Sequence, residues 1–315
     1  MAEANVELAE PNAPGETVGP MIPPTGLAPP AHGTWRRLLR NPVAAASLVV
    51  LLFMALVALP APALAPYEFA RQDAGYQLAG PSARHPLGTD DLARDTLSRL
   101  VYGARISLTV AVLVEAFVVT VGLAVGLIAG FFGGLVDTAL MRVTDVVLAF
   151  PEILLAILLL GLFGAASARP EASLVLVVVA LGATGWPSLA RLVRGQVLGL
   201  RKREFVEAAR ALGATNGRIV LRHILPNLLS PLLVAVTVDA AGVILAEATL
   251  SFLGIGVQRP YPSWGRMIND ALDYYEYHPR LLILPSLALS LTVLALNFLG
   301  DGLRDALDPR ARNRS

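Results

Sequence analysis

The sequence contains no cysteine, a single lysine and few charged residues for its length. Charged residues make up 16% of its 315 positions, against roughly 25% in ordinary soluble domains. The absence of cysteine excludes disulfides, thiolate zinc sites and cysteine nucleophiles. A formal net charge of +1 provides no electrostatic footprint for nucleic acid, so we expect no nucleic-acid partner.

Common catalytic motifs are also missing. The only lysine, Lys202, stands between Arg201 and Arg203 rather than in the Gly-Lys-Ser/Thr sequence of a Walker A loop. The four histidines are too far apart for the i, i+4 pair of a helical zinc site, and no Gly-x-Ser-x-Gly elbow occurs. We therefore expect no enzyme activity, no cofactor and no metal site in this chain.

Hydrophobic residues, in contrast, are abundant and cluster into long runs. They make up 55% of the chain, and the mean hydropathy is +0.62. Because a bilayer can hide apolar runs of about 20 residues, we predict an all-α, polytopic membrane protein with six transmembrane helices. The six runs are 43–59, 106–132, 135–163, 173–189, 228–250 and 281–299.

The basic residues are distributed unevenly between these runs. An even number of spans places both termini on one side of the membrane. If the N terminus is inside, 16 of the 25 Lys and Arg residues lie inside, eight of them between Arg191 and Arg222. Since cytoplasmic loops carry an excess of Lys and Arg, both termini are expected in the cytoplasm.

The pattern also divides the chain into segments. Residues 1–34 hold seven prolines and are predicted to form a disordered cytoplasmic tail. Residues 35–65 contain the first transmembrane helix; a signal peptide cleaved after Ala65 is the alternative, disfavoured because the preceding tail is so long. Next comes an extracytoplasmic loop at 66–105. It is followed by a five-helix core at 106–300, which contains a cytoplasmic loop at 191–227, and by a cytoplasmic tail at 301–315.

A glycine recurs at every fourth position near the end of the second run. Four-residue spacing places these glycines on one stripe of a helix, where another helix backbone can approach closely. A phosphate-binding loop would need a preceding strand, so we expect helix packing instead. The glycines are Gly122, Gly126, Gly130 and Gly134.

Several ionisable residues fall in or beside the predicted spans, where such residues usually face a bundle interior or a water-filled path. Asp239 and Glu247 lie deep in the fifth span, eight residues apart and so roughly on one face. They are candidates for a translocation path, or for a proton relay in an ion-coupled secondary transporter. The others are Glu115, Asp137, Arg142, Asp145 and Glu152. Asp137, Arg142 and Asp145 are compatible with partial ion pairing between i, i+3 neighbours on one helix.

The cytoplasmic loop contains a short amphipathic helical pattern that begins at Glu204. Its apolar positions at i, i+3, i+4 and i+7 are Phe205, Ala208, Ala209 and Leu212. Gly213 follows as a left-handed C-cap, a second helical pattern spans about 216–223, and Pro226 marks the return to the membrane. Such a helix suits a partner's groove, although eight basic residues are equally compatible with a solvated loop.

A series of motifs extends from Trp35 to Arg310. They are LGTDDLARD at 87–95, YGARISL at 102–108, EATLSFLGIG at 247–256, PSWG at 262–265, DGLRDALDPR at 301–310, and Glu207-Ala208-Ala209, Gly213 and Leu225-Pro226 in the cytoplasmic loop. The loop motif resembles the EAA loop of ABC importer permeases, with His223 where an isoleucine is common. The whole set resembles the C-type permease of the dipeptide, oligopeptide and nickel importers.

The resemblance implies a type I ABC importer permease fold in the bacterial inner membrane. It implies a heterodimer with a homologous permease, two ATPase subunits that use ATP and Mg, and an extracytoplasmic solute-binding protein. The EAA loop would dock on the ATPase, with Glu207 held by nearby arginines or by a backbone donor. The outer segment 251–280, including Trp264, is a candidate gate or docking surface, although its tyrosines equally suit an interfacial belt. The solute, whether a peptide, a nickel chelate or glutathione, is left open.

Overall fold

The computed structural model describes residues 31–164 and 170–307, with side chains from 35 to 163 and from 170 to 307. Within these ranges the chain forms helices joined by turns and loops, with two isolated β-bridges and no strand. The all-α prediction is therefore confirmed for the described residues. Residues 1–30 of the predicted disordered tail and residues 308–315 of the predicted C-terminal tail lie outside them.

The helices follow the apolar runs of the sequence, and shorter ones form the connections. They are α1 (Ala31–Arg40), α2 (Pro42–Ala58), α3 (Ala61–Leu64), α4 (Thr96–Phe132), α5 (Gly134–Leu148), α6 (Glu152–Gly164), α7 (Pro170–Leu200), α8 (Glu204–Ala211), α9 (Asn216–Ile219), α10 (Leu225–Phe252), α11 (Trp264–Asp270) and α12 (Arg280–Leu307). A π-helical turn at Val220–Ile224 joins α9 to α10. Three predicted boundaries differ: α1 begins inside the predicted N-terminal tail, α4 begins inside the loop predicted at 66–105, and α12 continues to Leu307.

Local chemistry explains several of these helix ends. The side chain of Asn41 accepts a hydrogen bond from the Val43 amide at 3.1 Å, and that of Asp95 accepts one from the Ser98 amide at 2.7 Å. Both are N-caps, which satisfy amides that have no partner inside the helix. Gly133, with φ of +70°, ends α4 in the left-handed region that glycine tolerates.

Four helical segments are long and apolar enough to cross a membrane: α4, α7, the continuous stretch 216–252, and α12. The predicted run 135–163 is instead broken into α5 and α6, which meet at 82° and count as a fifth span only if taken together. Pro151 precedes α6, and a proline there cannot continue the α5 hydrogen-bond ladder. α2 is shorter, at 17 residues. By length and composition the described residues therefore provide four or five spans rather than six.

One hydrophobic core joins the long helices to the loop between α7 and α10. Its buried members include Val114 of α4, Leu181 of α7 and Ile244 of α10. Val206 of α8 and Ile219 of α9 belong to the same core and are 0% exposed. Since they share the interior of the transmembrane helices, α8 and α9 are fixed to the helix bundle.

The glycine stripe lies along the contact between α4 and α7. A Cβ atom built on the first three glycines would lie 3.0, 2.6 and 2.7 Å from the nearest atoms of α7, so larger side chains would separate the two helices. Gly134 differs from the prediction. It follows the end of α4, has φ of +58° and leaves open space around an added Cβ, so it serves the turn into α5. The three packing glycines are Gly122, Gly126 and Gly130.

Candidate functional site

The loop between α7 and α10 packs on the core through one face of α8. Val206 and Ala209 are buried and Phe205 is half-buried, whereas Ala208 and Leu212 are exposed. The predicted apolar face is thus divided between the core and the surface. Val206, which lies outside the predicted pattern, packs in the core, whereas Ala208 and Leu212 lie on the surface. This division presents a second, outward face on α8.

The outward face of α8 combines acidic and apolar side chains. Glu204, Glu207 and Ala208 are exposed, and Leu212, just after the helix, is 88% exposed. Glu207 forms no ion pair within the described residues, so its expected pairing with nearby arginines is not observed there. A large exposed leucine next to two carboxylates gives this short helix a surface suited to a protein partner.

The end of α8 has the left-handed geometry that its glycine predicts. Gly213 has φ of +79°, and its amide donates to the Arg210 carbonyl at 3.0 Å. The Thr215 hydroxyl then caps α9, and Pro226 lies in the first turn of α10, where a missing amide costs nothing. The loop therefore has a defined conformation between two long helices, α7 and α10.

A guanidinium group ties the start of this loop to the end of α4. Arg201 directly follows α7, and its Nη1 donates to the carbonyls of Gly130 at 3.0 Å and Phe131 at 3.1 Å. These carbonyls belong to the last turn of α4, where helix carbonyls lack intrahelical partners. A displacement of α8 would therefore act on α4 as well as on α7.

Two further ion pairs connect α7 to α5. Arg194 donates to Asp137 at 2.7 Å, and Arg191 donates to Asp145 at 2.5 Å. The predicted i, i+3 pairing along α5 is therefore wrong, because α7 runs beside α5 and supplies both partners. Arg142 pairs with no carboxylate among the described residues.

Glu247 lies in a closed, polar site between three helices. It is 0% exposed and accepts hydrogen bonds from Ser107 of α4 at 3.1 Å and from Ser251 of α10 at 2.7 Å. Ser107 also accepts from the Trp264 amide of α11 at 3.3 Å. Because both carboxylate oxygens are occupied, Glu247 fastens α4, α10 and α11 together and does not line an open path in this conformation.

Trp264 is also buried rather than displayed. Its side chain is 0% exposed, and its indole NH donates to the Leu100 carbonyl at 3.4 Å. Gly103 permits this contact, since a Cβ there would lie 3.1 Å from the indole ring. An exposed docking role for Trp264 therefore does not fit this geometry, whereas Tyr275 and Tyr277 are 50% and 82% exposed.

Asp239 and Glu247 do not form one site, although both belong to α10. Asp239 is exposed and lies near enough to Glu115 on α4 to interact with it electrostatically. Eight residues along a helix turn the side chain by about 80°, and α11 covers only Glu247. The predicted proton relay between the two acids therefore lacks a geometric basis.

A network of ion pairs joins the loop between α3 and α4 to α11, and no motif in the sequence indicates it. Asp270 accepts hydrogen bonds from Arg99 at 3.3 Å, Arg259 at 2.8 Å and Arg266 at 3.0 Å. Asp90 in turn lies 3.2 Å from Arg99. These residues are up to 171 positions apart in sequence, so spacing gives no sign of their contact.

The charges in this network shift one another's pKa. Burial, followed by the neighbouring Asp90, raises the pKa of Asp91, and Arg94 opposes the shift only in part. The Oδ1 atom of Asp91 is buried and has no hydrogen-bond donor in the described structure. Among the basic residues of the network, Arg259 has a raised pKa, because its guanidinium group donates a hydrogen bond to Asp270.

A cavity of about 470 Å³ lies between α4, α7 and the loop that joins α3 to α4. Phe69, Tyr102 and Tyr261 line it together, with the Phe69 ring 5.0 and 5.6 Å from the other two. Arg105 and aliphatic side chains of α4 and α7 complete the lining. No group of His, Asp or Glu side chains suited to a metal ion occurs within the described ranges.

Two family models match this chain. Residues 122–313 match the model described as binding-protein-dependent transport system inner membrane component. Residues 29–81 match the N-terminal TM domain of oligopeptide transport permease C. The first match covers more than half of the chain, including α8 and the loop around it.

Characterised relatives are similar over nearly their full length. The dipeptide transport system permease protein DppC of Alkalihalophilus pseudofirmus is 39% identical over 95% of this chain and 99% of its own. The glutathione transport system permease protein GsiD of Pectobacterium atrosepticum is 41% identical over 93% of this chain and 96% of its own. The oligopeptide transport system permease protein OppC of Haemophilus influenzae is 42% identical over 88% of each chain.

The fold also matches a solved structure. A chain of the MetNI methionine ABC transporter, in an inward-facing conformation, superposes with a TM-score of 0.54 at 22% identity. The match covers 66% of this chain and 96% of the transporter chain. At this identity the similarity establishes the fold alone.

Proposed function

Because the chain belongs to the family of binding-protein-dependent transport system inner membrane components, we propose that it is the permease subunit of an ATP-driven importer. The proposed solutes are peptides or related small molecules such as glutathione, the solutes named for its relatives. The observation that carries the proposal is the outward face of α8, on a helix fixed to the core between α7 and α10. Such a face can receive force from a partner and pass it to the bundle.

The proposed complex contains a homologous permease as heterodimer partner, two ATPase subunits and an extracytoplasmic solute-binding protein. The two permeases would enclose the translocation path, and α8 would dock on an ATPase subunit. Support comes from the exposed Leu212 and from Arg201, which connects the loop to α4. ATP and Mg would be bound by the partner, since this chain has no Walker A sequence.

We further propose that six segments cross the bacterial inner membrane, with both termini in the cytoplasm. This topology counts α2 and the bent α5–α6 pair as spans alongside the four long helical segments. The eight basic residues between Arg191 and Arg222 then lie on the cytoplasmic side, as the distribution of positive charge in membrane proteins favours.

Reconstitution tests the proposal against the ion-coupled alternative. Proteoliposomes containing this chain, its permease partner and the ATPase subunits should take up a dipeptide only with ATP and the solute-binding protein. Liposomes with this chain alone and a proton or sodium gradient should show no uptake. Gradient-driven uptake by the isolated chain, independent of ATP, would refute the importer function.

A further inference from the structure

We propose that Glu115, Glu152 and Asp239, here called the acidic trio, bind the cationic group of a solute and favour solutes of net positive charge. The inference rests on the proposed import function and adds a substrate preference to it. It is carried by three neighbouring carboxyl groups from three helices, which have no counter-ion among the described residues.

The trio comes from three helices at a similar depth. Glu115 is near the middle of α4, and Asp239 is near the middle of α10. The two carboxyl groups are near enough to interact electrostatically, and no hydrogen bond joins them among the described residues. Because each residue is more than a dozen positions from either end of its helix, both lie far from the membrane surfaces in a spanning helix.

Glu152 enters the same region through the break between α5 and α6. It is the first residue of α6, and its Oε1 lies 3.8 Å from the position of a Cβ built on Gly185, at the middle of α7. Its carboxyl group is near enough to Asp239 for the two to interact electrostatically. Glu152 and Asp239 are both exposed in the isolated chain, so a ligand can reach them.

The trio has no counter-charge within the described residues. None of the ion pairs there includes Glu115, Glu152 or Asp239, and the arginines of α7 are engaged with Asp137 and Asp145. Glu115 is only 7% exposed, and both of its carboxyl oxygens are buried without a donor.

Glu247, on the same helix as Asp239, has the hydrogen-bond donors that Glu115 lacks. Two serine hydroxyls satisfy its oxygens, so it needs no ligand. A buried acceptor without a donor is costly, and an intramembrane acid without a partner marks a functional site. The missing partner must be a donor or a cation.

Electrostatics selects the class of ligand. Three neighbouring carboxyl groups attract an ammonium or guanidinium group, and their combined field repels a carboxylate that travels with it. A zwitterionic dipeptide gains little, because its two charges are close together. A solute with an additional cationic side chain carries net positive charge and gains more.

Uptake by the complete reconstituted transporter provides the test, with two dipeptide probes that differ in one charge. Alanyl-lysine carries net charge +1, and alanyl-Nε-acetyllysine carries none. We expect the uptake ratio of the first to the second to fall about tenfold in Asp239→Asn, as for a lost charge-assisted hydrogen bond, and to fall in Glu115→Gln as well. Asp239→Glu should retain the wild-type ratio. Because all variants share one solute-binding protein, its own preference cancels.

Glu247→Gln is the matched control, since it replaces a buried carboxyl group about two turns along the same helix. It should affect both probes equally and leave the ratio unchanged. An unchanged ratio in Asp239→Asn and Glu115→Gln would overturn the proposal. Failure of both variants to assemble would also overturn it, because the trio would then neutralise a charge on the neighbouring permease. Absence of ATP-dependent uptake of both probes in the wild type would instead refute the proposed function.

Discussion

At the scale of single residues, the environment separates acids that look alike in the sequence. Asp239 and Glu247 belong to one helix, yet serine hydroxyls enclose Glu247 whereas Asp239 is exposed beside Glu115. The sequence identified both as intramembrane acids. It could not distinguish them, because burial of Glu247 depends on α11, whose Trp264 lies 17 residues further along the chain.

Asp91 gives a prediction on pH dependence. Its pKa is raised in the folded protein by burial and by Asp90, so the protonated form is favoured there. The stability from this group is therefore present at low pH and is lost as the pH rises through the folded pKa. Asp91→Asn, which mimics the protonated form, should raise the thermal unfolding midpoint at pH 7 and have a smaller effect near pH 4.

Scanning fluorimetry of the detergent-purified protein at both pH values measures this difference. Asp273→Asn is the control, since Asp273 is an exposed aspartate just after α11 and should show no such difference. A stabilisation by Asp91→Asn that is equal at pH 4 and pH 7, or greater at pH 4, would contradict the raised pKa of Asp91 in the folded protein.

At the scale of elements, local signals were the reliable ones. Gly213 predicted the left-handed end of α8, and the periodic glycines predicted a close helix contact whose partner, α7, only the structure identifies. Features that depend on long-range contacts could not be predicted from the sequence. The break at Pro151 gives an 82° bend whose size depends on packing, and the pairs Arg194–Asp137 and Arg191–Asp145 depend on how α5 lies beside α7.

Gly213 provides the prediction for the coupling loop. With φ of +79°, replacement by valine forces a β-branched residue into the left-handed region, at a cost of roughly 1–2 kcal/mol. Gly213→Val should reduce ATP-dependent uptake by about five- to thirtyfold, since 1.4 kcal/mol corresponds to a factor of ten. The amount of protein in the membrane fraction should remain unchanged.

Gly217→Val is the matched control for this experiment. Gly217 lies four residues away in α9, also has open space around an added Cβ, and has no positive φ. Its replacement should leave uptake close to the wild-type rate. Equal uptake by the two variants, at matched expression, would show that the conformation of Gly213 does not matter for coupling.

At the scale of the whole molecule, the long helices and the loop between α7 and α10 form one connected bundle. α8 is fixed to the core through Val206 and Ala209, and Arg201 ties its approach to α4. The sequence predicted the long apolar helices and the loop helix, because hydropathy and motifs are local in the chain. It did not predict the contacts of Val206 and Arg201, which depend on how the helices pack. The six predicted spans are four or five in the described residues, since α2 is short and α5–α6 is bent.

The central claim, that the outward face of α8 docks on an ATPase subunit, is most directly tested by cysteine labelling. The chain has no cysteine of its own, so Ala208→Cys introduces a unique thiol on that face, and Tyr277→Cys introduces one at an exposed site of the outer segment. Both are labelled with a maleimide in detergent, with and without the ATPase subunits. The account predicts that the ATPase subunits protect position 208 several-fold and leave position 277 unchanged. Equal labelling of position 208 in the presence and absence of the ATPase subunits would contradict it.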